Sequence, residues 1–114
     1  MTIQELRENL KSMLEIKTNT FEHFNLKLIN VGFSSFDDDG WFDIIFEIES
    51  ITKGFDVNLW IKANFYDSDN NIIATGSTLL NSDFAGYDTL LINMHEADLA
   101  FEAKRIVVFI SKQG

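Results

Sequence analysis

The chain has 114 residues, a hydrophobic fraction of 46% and a formal net charge of −9, and it contains neither cysteine nor proline. That length and apolar content fit one domain with a packed core, expected over residues 1–114. The lack of cysteine excludes disulfides and thiolate metal sites, and the negative balance repels phosphate backbones, which weighs against direct binding of DNA or RNA.

The first predicted element is a helix. Thr2 followed by Glu5 has the spacing of a capping box, in which the two residues satisfy free amides of the first turn. Ile3, Leu6, Leu10, Met13 and Leu14 then recur at intervals of three and four, with Arg7, Glu8, Lys11 and Glu15 largely on the other side, so an amphipathic helix is predicted over about residues 3–16.

From residue 24 the period shifts towards two. "FNLKLINVGF" reads as a strand whose alternation slips between Leu28 and Ile29, as at a bulge. In the second strand Phe42, Ile44, Phe46 and Ile48 share one face and Asp43, Glu47 and Glu49 the other. In the third, Phe55, Val57, Leu59, Ile61, Ala63 and Phe65 point inward and Asp56, Asn58, Lys62 and Asn64 outward. The short link "ITKG" suggests that these two strands form a hairpin, with Ile45 across from Trp60 and Asp43 across from Lys62. That register leaves one unfavourable pair, Glu49 with Asp56.

"IIATGSTLL" gives a fourth strand with a bulge expected at Gly76, "YDTLLINM" a fifth and "KRIVVFIS" a sixth. One or two helical turns are expected in "HEADLAFEA". The sum is a mainly β fold: an antiparallel β-sandwich of about six strands over about residues 24–112, with one N-terminal amphipathic α-helix. Trp41, Trp60 and Tyr66 fall on the polar sides of their strands, and the helix is expected to dock over Ile45 and Trp60.

The stretch "VNLWIKANFYDSDNNIIATGSTLL", residues 57–80, resembles the FxLYD type of bacterial β-sandwich domain. Tyr66 and Asp67 match the end of the naming motif and "IIATGS" the strand that returns after its turn. Ala63 stands in the place of the Phe, Phe65 in that of the Leu, and Asn70 in that of the usual turn glycine. The resemblance implies a sandwich and carries over no functional residue.

The charge is regional. Residues 1–34 are balanced, 35–50 carry six acids and no base, 51–66 a net +1, 67–100 again six acids and no base, and 101–114 a net +2. If the strands run alternately up and down, the loops at 34–40, 67–71 and 95–103 emerge at one end, gathering Asp37, Asp38, Asp39, Asp67, Asp69, Glu96 and Asp98 into an acidic rim. Neither acidic loop completes a calcium ligand set. In "DSDNN" Asp67, Asp69 and Asn71 have the spacing of the first three EF-hand ligands, but Ile72 and Thr78 stand where the glycine and the bidentate Glu are required. Turn chemistry accounts for both loops, since Asp and Asn side chains cap turns.

Catalytic groups are sparse. His95, Glu96 and Asp98 are the one candidate cluster, and neither a metalloprotease helix nor a nucleophile elbow nor a phosphate loop is present. The reading is a small acidic protein, not an enzyme and with no cofactor, that binds and blocks a basic protein partner such as a toxin or nuclease, in the manner of immunity proteins and inhibitors. Its expected contact residues are Asp37, Asp38, Asp39, Trp41, Trp60, Asp67, Asp69, Glu96 and Asp98. The alternatives are a structural β-sandwich module that self-associates, a homodimer included, and a weak cation-binding domain. "MTIQELREN" lacks the basic start and apolar centre of a signal peptide and no apolar run is long enough to span a membrane, so a cytoplasmic protein is expected. The abundance of Ile, Asn, Lys and Phe is what an AT-rich bacterial or phage genome produces.

Overall fold

A computed structural model describes residues 2–34, 36–52, 56–95 and 102–112. In chain order the elements are α1 (Ile3–Ser12), β1 (Leu14–Ile16), α2 (Thr18–His23), β2 (Leu26–Ser34), β3 (Phe42–Ser50), β4 (Leu59–Tyr66), β5 (Ile72–Leu80), β6 (Gly86–Met94) and β7 (Arg105–Lys112). The seven strands form two sheets, β1-β7-β4-β5 and β2-β3-β6, packed as a sandwich. All pairs are antiparallel except β1 with β7.

The core is built by strict alternation on the two central strands. Phe42, Ile44, Phe46 and Ile48 of β3 and Leu59, Ile61, Ala63 and Phe65 of β4 have no exposed surface. Phe42 meets Phe65 edge to face at 6.3 Å between ring centroids, which joins the two sheets at one end. Ile92, Met94, Ile106, Val108 and Ile110 complete the layer.

The expected hairpin of residues 42–50 with 55–65 does not form. β3 pairs with β2 and β6, and β4 with β5 and β7, so Ile45 and Trp60 lie on the outer faces of different sheets. Alternation fixes which face of a strand is buried but not which strand lies beside it. Two local facts favour the crossing. The strand begins at Leu59, leaving a link, 51–58, longer than the usual two to five residues of a hairpin loop. The link is also drawn away at once, because the Ile51 amide donates to the Asn25 carbonyl (2.9 Å). Glu49 then lies across from Lys27 rather than from Asp56. Phe55 lies outside the described residues, and Val57, expected inward, is exposed.

The N-terminal segment closes one side of the sandwich. Thr2 caps α1, its Oγ1 accepting from the Glu5 amide (3.1 Å), and Leu6 and Leu10 enter the core. The helix ends at Ser12 instead of residue 16. β7 would otherwise expose an unpaired edge, and its demand for partners overrides the helical period of Met13 and Leu14. The Ile106 amide donates to the Met13 carbonyl (3.0 Å), the Lys17 amide to the Val108 carbonyl (2.9 Å), and the Ile110 amide to Thr20 Oγ1 (3.0 Å) on α2. Neither β1 nor α2 was expected from the sequence. The helices contact β2 and β7, so α1 does not cover Ile45 and Trp60, and no single helix could.

The opposite side closes through Gly76. It pairs with Ala63 without irregularity, and the shift in register falls between Phe65 and Tyr66, so the expected bulge is displaced towards Ile73. A Cβ on Gly76 would lie 2.4 Å from Met94 Sδ and 2.6 Å from Ile92 Cγ2, so the residue serves the close approach of β5 to β6. The bulge expected in β2 is present, between Leu28 and Asn30. The helical turns expected in 95–103 lie largely outside the described residues.

Candidate functional site

The acidic end can be built from two loops of the same design. In 37–41, the Asp37 amide donates to the Trp41 carbonyl (3.1 Å) and the Gly40 amide to the Asp37 carbonyl (3.3 Å). Asp37 Oδ1 accepts from the amides of Asp39 (3.0 Å) and Trp41 (2.9 Å). In 67–71, the Asp67 amide donates to the Asn71 carbonyl (3.0 Å) and the Asn70 amide to the Asp67 carbonyl (3.1 Å). Asp67 Oδ1 accepts from the amides of Asp69 and Asn71, each at 2.9 Å.

The fourth residue of each loop is left-handed, Gly40 at φ 90° and Asn70 at φ 63°, the conformation that glycine and asparagine tolerate best. The first Asp of each loop is therefore the keystone of the turn. The Asn71 amide foremost, with the Asp69 amide behind it, holds the Asp67 carboxyl below its usual value. Asp38, Asp39 and Asp69 are left as exposed carboxylates that build nothing. The pattern Asp-x-Asp followed by Gly or Asn occurs in both stretches and was legible in the sequence.

Strand directions put both loops at one end. β3 starts where β6 ends, Phe42 pairing with Met94, and β4 ends where β7 starts, Tyr66 pairing with Arg105. Arg105 ties the second loop down: its Nη1 donates to Asn70 Oδ1 (3.3 Å), its Nε to Glu15 Oε2 (2.6 Å), and its guanidinium lies 5.1 Å from the Tyr66 ring. The Arg105 guanidinium, with Lys17 second, pulls the Glu15 carboxyl down to about 2.

At the same end an open cleft of about 390 Å³ lies between β5 and β6, lined by Trp41, Ile73, Ala74, Thr75, Asn93 and His95 among others. Trp41 is 40% exposed and its ring centre lies 4.2 Å from that of His95. Asn93 Nδ2 donates to Asp43 Oδ1 (2.8 Å), holding one more carboxylate beside the cleft. The cleft was not foreseen, because its walls come from strands distant in sequence.

Of the residues expected at the contact surface, Asp37, Asp38, Asp39, Trp41, Asp67 and Asp69 do share this end. Trp60 does not. It follows Leu59 at the start of β4, so it sits at the far end and on the outer face of its sheet, between Leu79 and Ser111. Glu96 and Asp98 lie outside the described residues. Among the described residues no three of His, Asp and Glu converge as metal ligands would, and no helix is long and apolar enough to cross a membrane.

Comparison with protein-family models, with curated proteins and with solved structures finds no match. The resemblance of residues 57–80 to the FxLYD type therefore rests on those residues alone.

Proposed function

We propose that this is a non-enzymatic binding protein whose loop end takes up a basic segment of another protein and blocks it. The observation that carries the reading is the pair of like-built turns, which present Asp38, Asp39 and Asp69 as free carboxylates at the end where Trp41 is half exposed. Such a surface steers a cationic partner in and then offers it an aromatic face. The cleft beside Trp41 and His95 is wide enough for one long side chain, and Asp43 supplies a carboxylate at its edge. Blocking in the manner of an immunity protein or inhibitor fits a chain of this size with so few catalytic groups.

The test replaces Asp38, Asp39 and Asp69 together by Asn and leaves the keystones Asp37 and Asp67 in place. Immobilised wild-type protein and the variant are each exposed to a cell extract at low and at high salt. A partner held by the wild type at low salt, released by salt and lost by the variant supports the reading. Retention of the same proteins by both forms refutes it.

A further inference from the structure

The outer faces of the two sheets differ in charge. On the outer face of β1-β7-β4-β5 stand Lys62, Arg105 and Glu15, and the Arg105–Glu15 pair leaves Lys62 as the charge of that face, while Lys112 lies across from Leu59 on the inner side with its Nζ 5.9 Å from the centre of the Phe24 ring. On the outer face of β2-β3-β6 stand Asp43, Glu47 and Glu49 against Lys27, while Asp88 lies across from Ile48 on the inner side. The outward rows are apolar as well as charged. On the basic sheet Trp60 lies between Leu79 and Ser111, and Lys62 between Ser77 and Phe109. On the acidic sheet Ile45 lies between Gly32 and Leu91, Glu47 between Asn30 and Thr89, and Glu49 between Lys27 and Tyr87. Leu91 is 50% exposed and Tyr87 54%, while Trp60, Leu79, Phe109 and Ile45 are half-buried. With the helices on β2 and β7, the outward rows of the central strands β3 and β4 have no helix over them among the described residues.

We infer that the basic outer face of one molecule packs on the acidic outer face of a second copy, with Trp60 and Phe109 against Ile45 and Leu91 and with Lys62 against Glu47 and Glu49. A second copy is the occupant that the chain itself supplies in complementary form: one face sets Lys62 beside Trp60 and Phe109, and the other sets Glu47 and Glu49 beside Ile45 and Leu91. Like-with-like packing would set Lys62 against Lys62, or Glu47 and Glu49 against their own kind, and is disfavoured. Because the faces lie on opposite sides of the sandwich, the contact is heterologous and leaves a free face at each end of an assembly, which grows as a linear stack. Three strands of about eight residues, spaced roughly 4.8 Å apart with about 3.3 Å per residue, present on the order of 400 Å². That is roughly half the ~800 Å² per partner of a standard interface, so the association is weak, rapidly reversible and salt-sensitive. It uses neither the acidic loops nor the Trp41 cleft and stands apart from the reading of that end.

Sedimentation velocity tests it, from about 10 µM to 1 mM, the range suited to a small transient interface. Wild-type protein at low salt should rise in average mass with concentration and fall back towards the monomer in high salt. Leu91→Lys places a base on the acidic face and Trp60→Glu an acid on the basic face, so each variant alone should stay monomeric. Lys62→Glu serves in place of Trp60→Glu should the latter fail to fold. An equimolar mixture of the two blocked variants still offers one intact basic face and one intact acidic face, and should give a species of about twice the monomer mass that grows no further. A wild-type protein monomeric throughout overturns the inference. So does association of either variant alone, which would mean a like-with-like interface, and so does a mixture that stays monomeric.

Discussion

Replacing Gly76 by Ala sets two effects of opposite sign against each other. Gly76 does not have a positive φ, so alanine can adopt its backbone conformation, and the loss of freedom in the unfolded chain would by itself stabilise the protein by about 0.4–1 kcal/mol. Against this, the new methyl would lie 2.4 Å from Met94 Sδ and 2.6 Å from Ile92 Cγ2. Carbon contacts settle near 3.5–4.0 Å, so both neighbours must retreat by roughly 1 Å. Met94 can swing its thioether aside. Ile92 is stiff at χ1 and lies in the core at 2% exposure, so the strain must be taken up by the approach of β5 to β6. Overpacking of this kind costs about 1–3 kcal/mol, and the net expectation is a loss of about 0.5–2 kcal/mol. With a urea dependence of about 1–3 kcal/mol per molar, the unfolding midpoint should fall by several tenths of a molar to about 1 M. Gly32→Ala is the control: nothing lies within 4 Å of its Cβ and its φ is not positive, so the midpoint should hold or rise. A Gly76→Ala variant as stable as the wild type, with Gly32→Ala behaving as stated, would mean that the two sheets do not meet along β5 and β6.

Two further outcomes test the N-terminal closure. The Glu15 carboxyl is lowered from its ordinary 4.5 to about 2, so its contribution to stability is present above about pH 4.5 and disappears as the pH falls towards 2. Urea unfolding of Glu15→Gln should accordingly give a lower midpoint than the wild type at neutral pH, and the gap should close between pH 4.5 and 2; a gap independent of pH would remove the Arg105 pairing as its cause. Thr20→Val keeps the shape of the side chain but strands the Ile110 amide on the edge of β7, with an expected loss of about 1–3 kcal/mol in thermal or urea unfolding. No loss would mean that water reaches that edge and α2 is not needed to cover it.

The sequence by itself determined what depends on period and on local chemistry. Alternation at Phe42–Ile48 and Leu59–Phe65 marked the buried rows, the slip after Leu28 marked the bulge, and the capping pair Thr2 and Glu5 marked the start of the helix, because each is settled by neighbours within a few residues. The turns at 37–41 and 67–71 were legible for the same reason: an Asp side chain reaches its own loop amides wherever the loop is. What joins to what was decided only by the tertiary structure. β3 and β4 could have paired in a consistent register, and the partition into two sheets turned on the length of the 51–58 link and on the competing partners β2, β6, β5 and β7. Residues 14–16 left the helix because the edge of β7, about ninety positions later in the chain, needed its hydrogen bonds filled. Trp41 and Trp60 look alike in the sequence, each an aromatic among polar neighbours. Their placement at opposite ends follows from strand direction, as does the meeting of Trp41 with His95, and no local pattern encodes either.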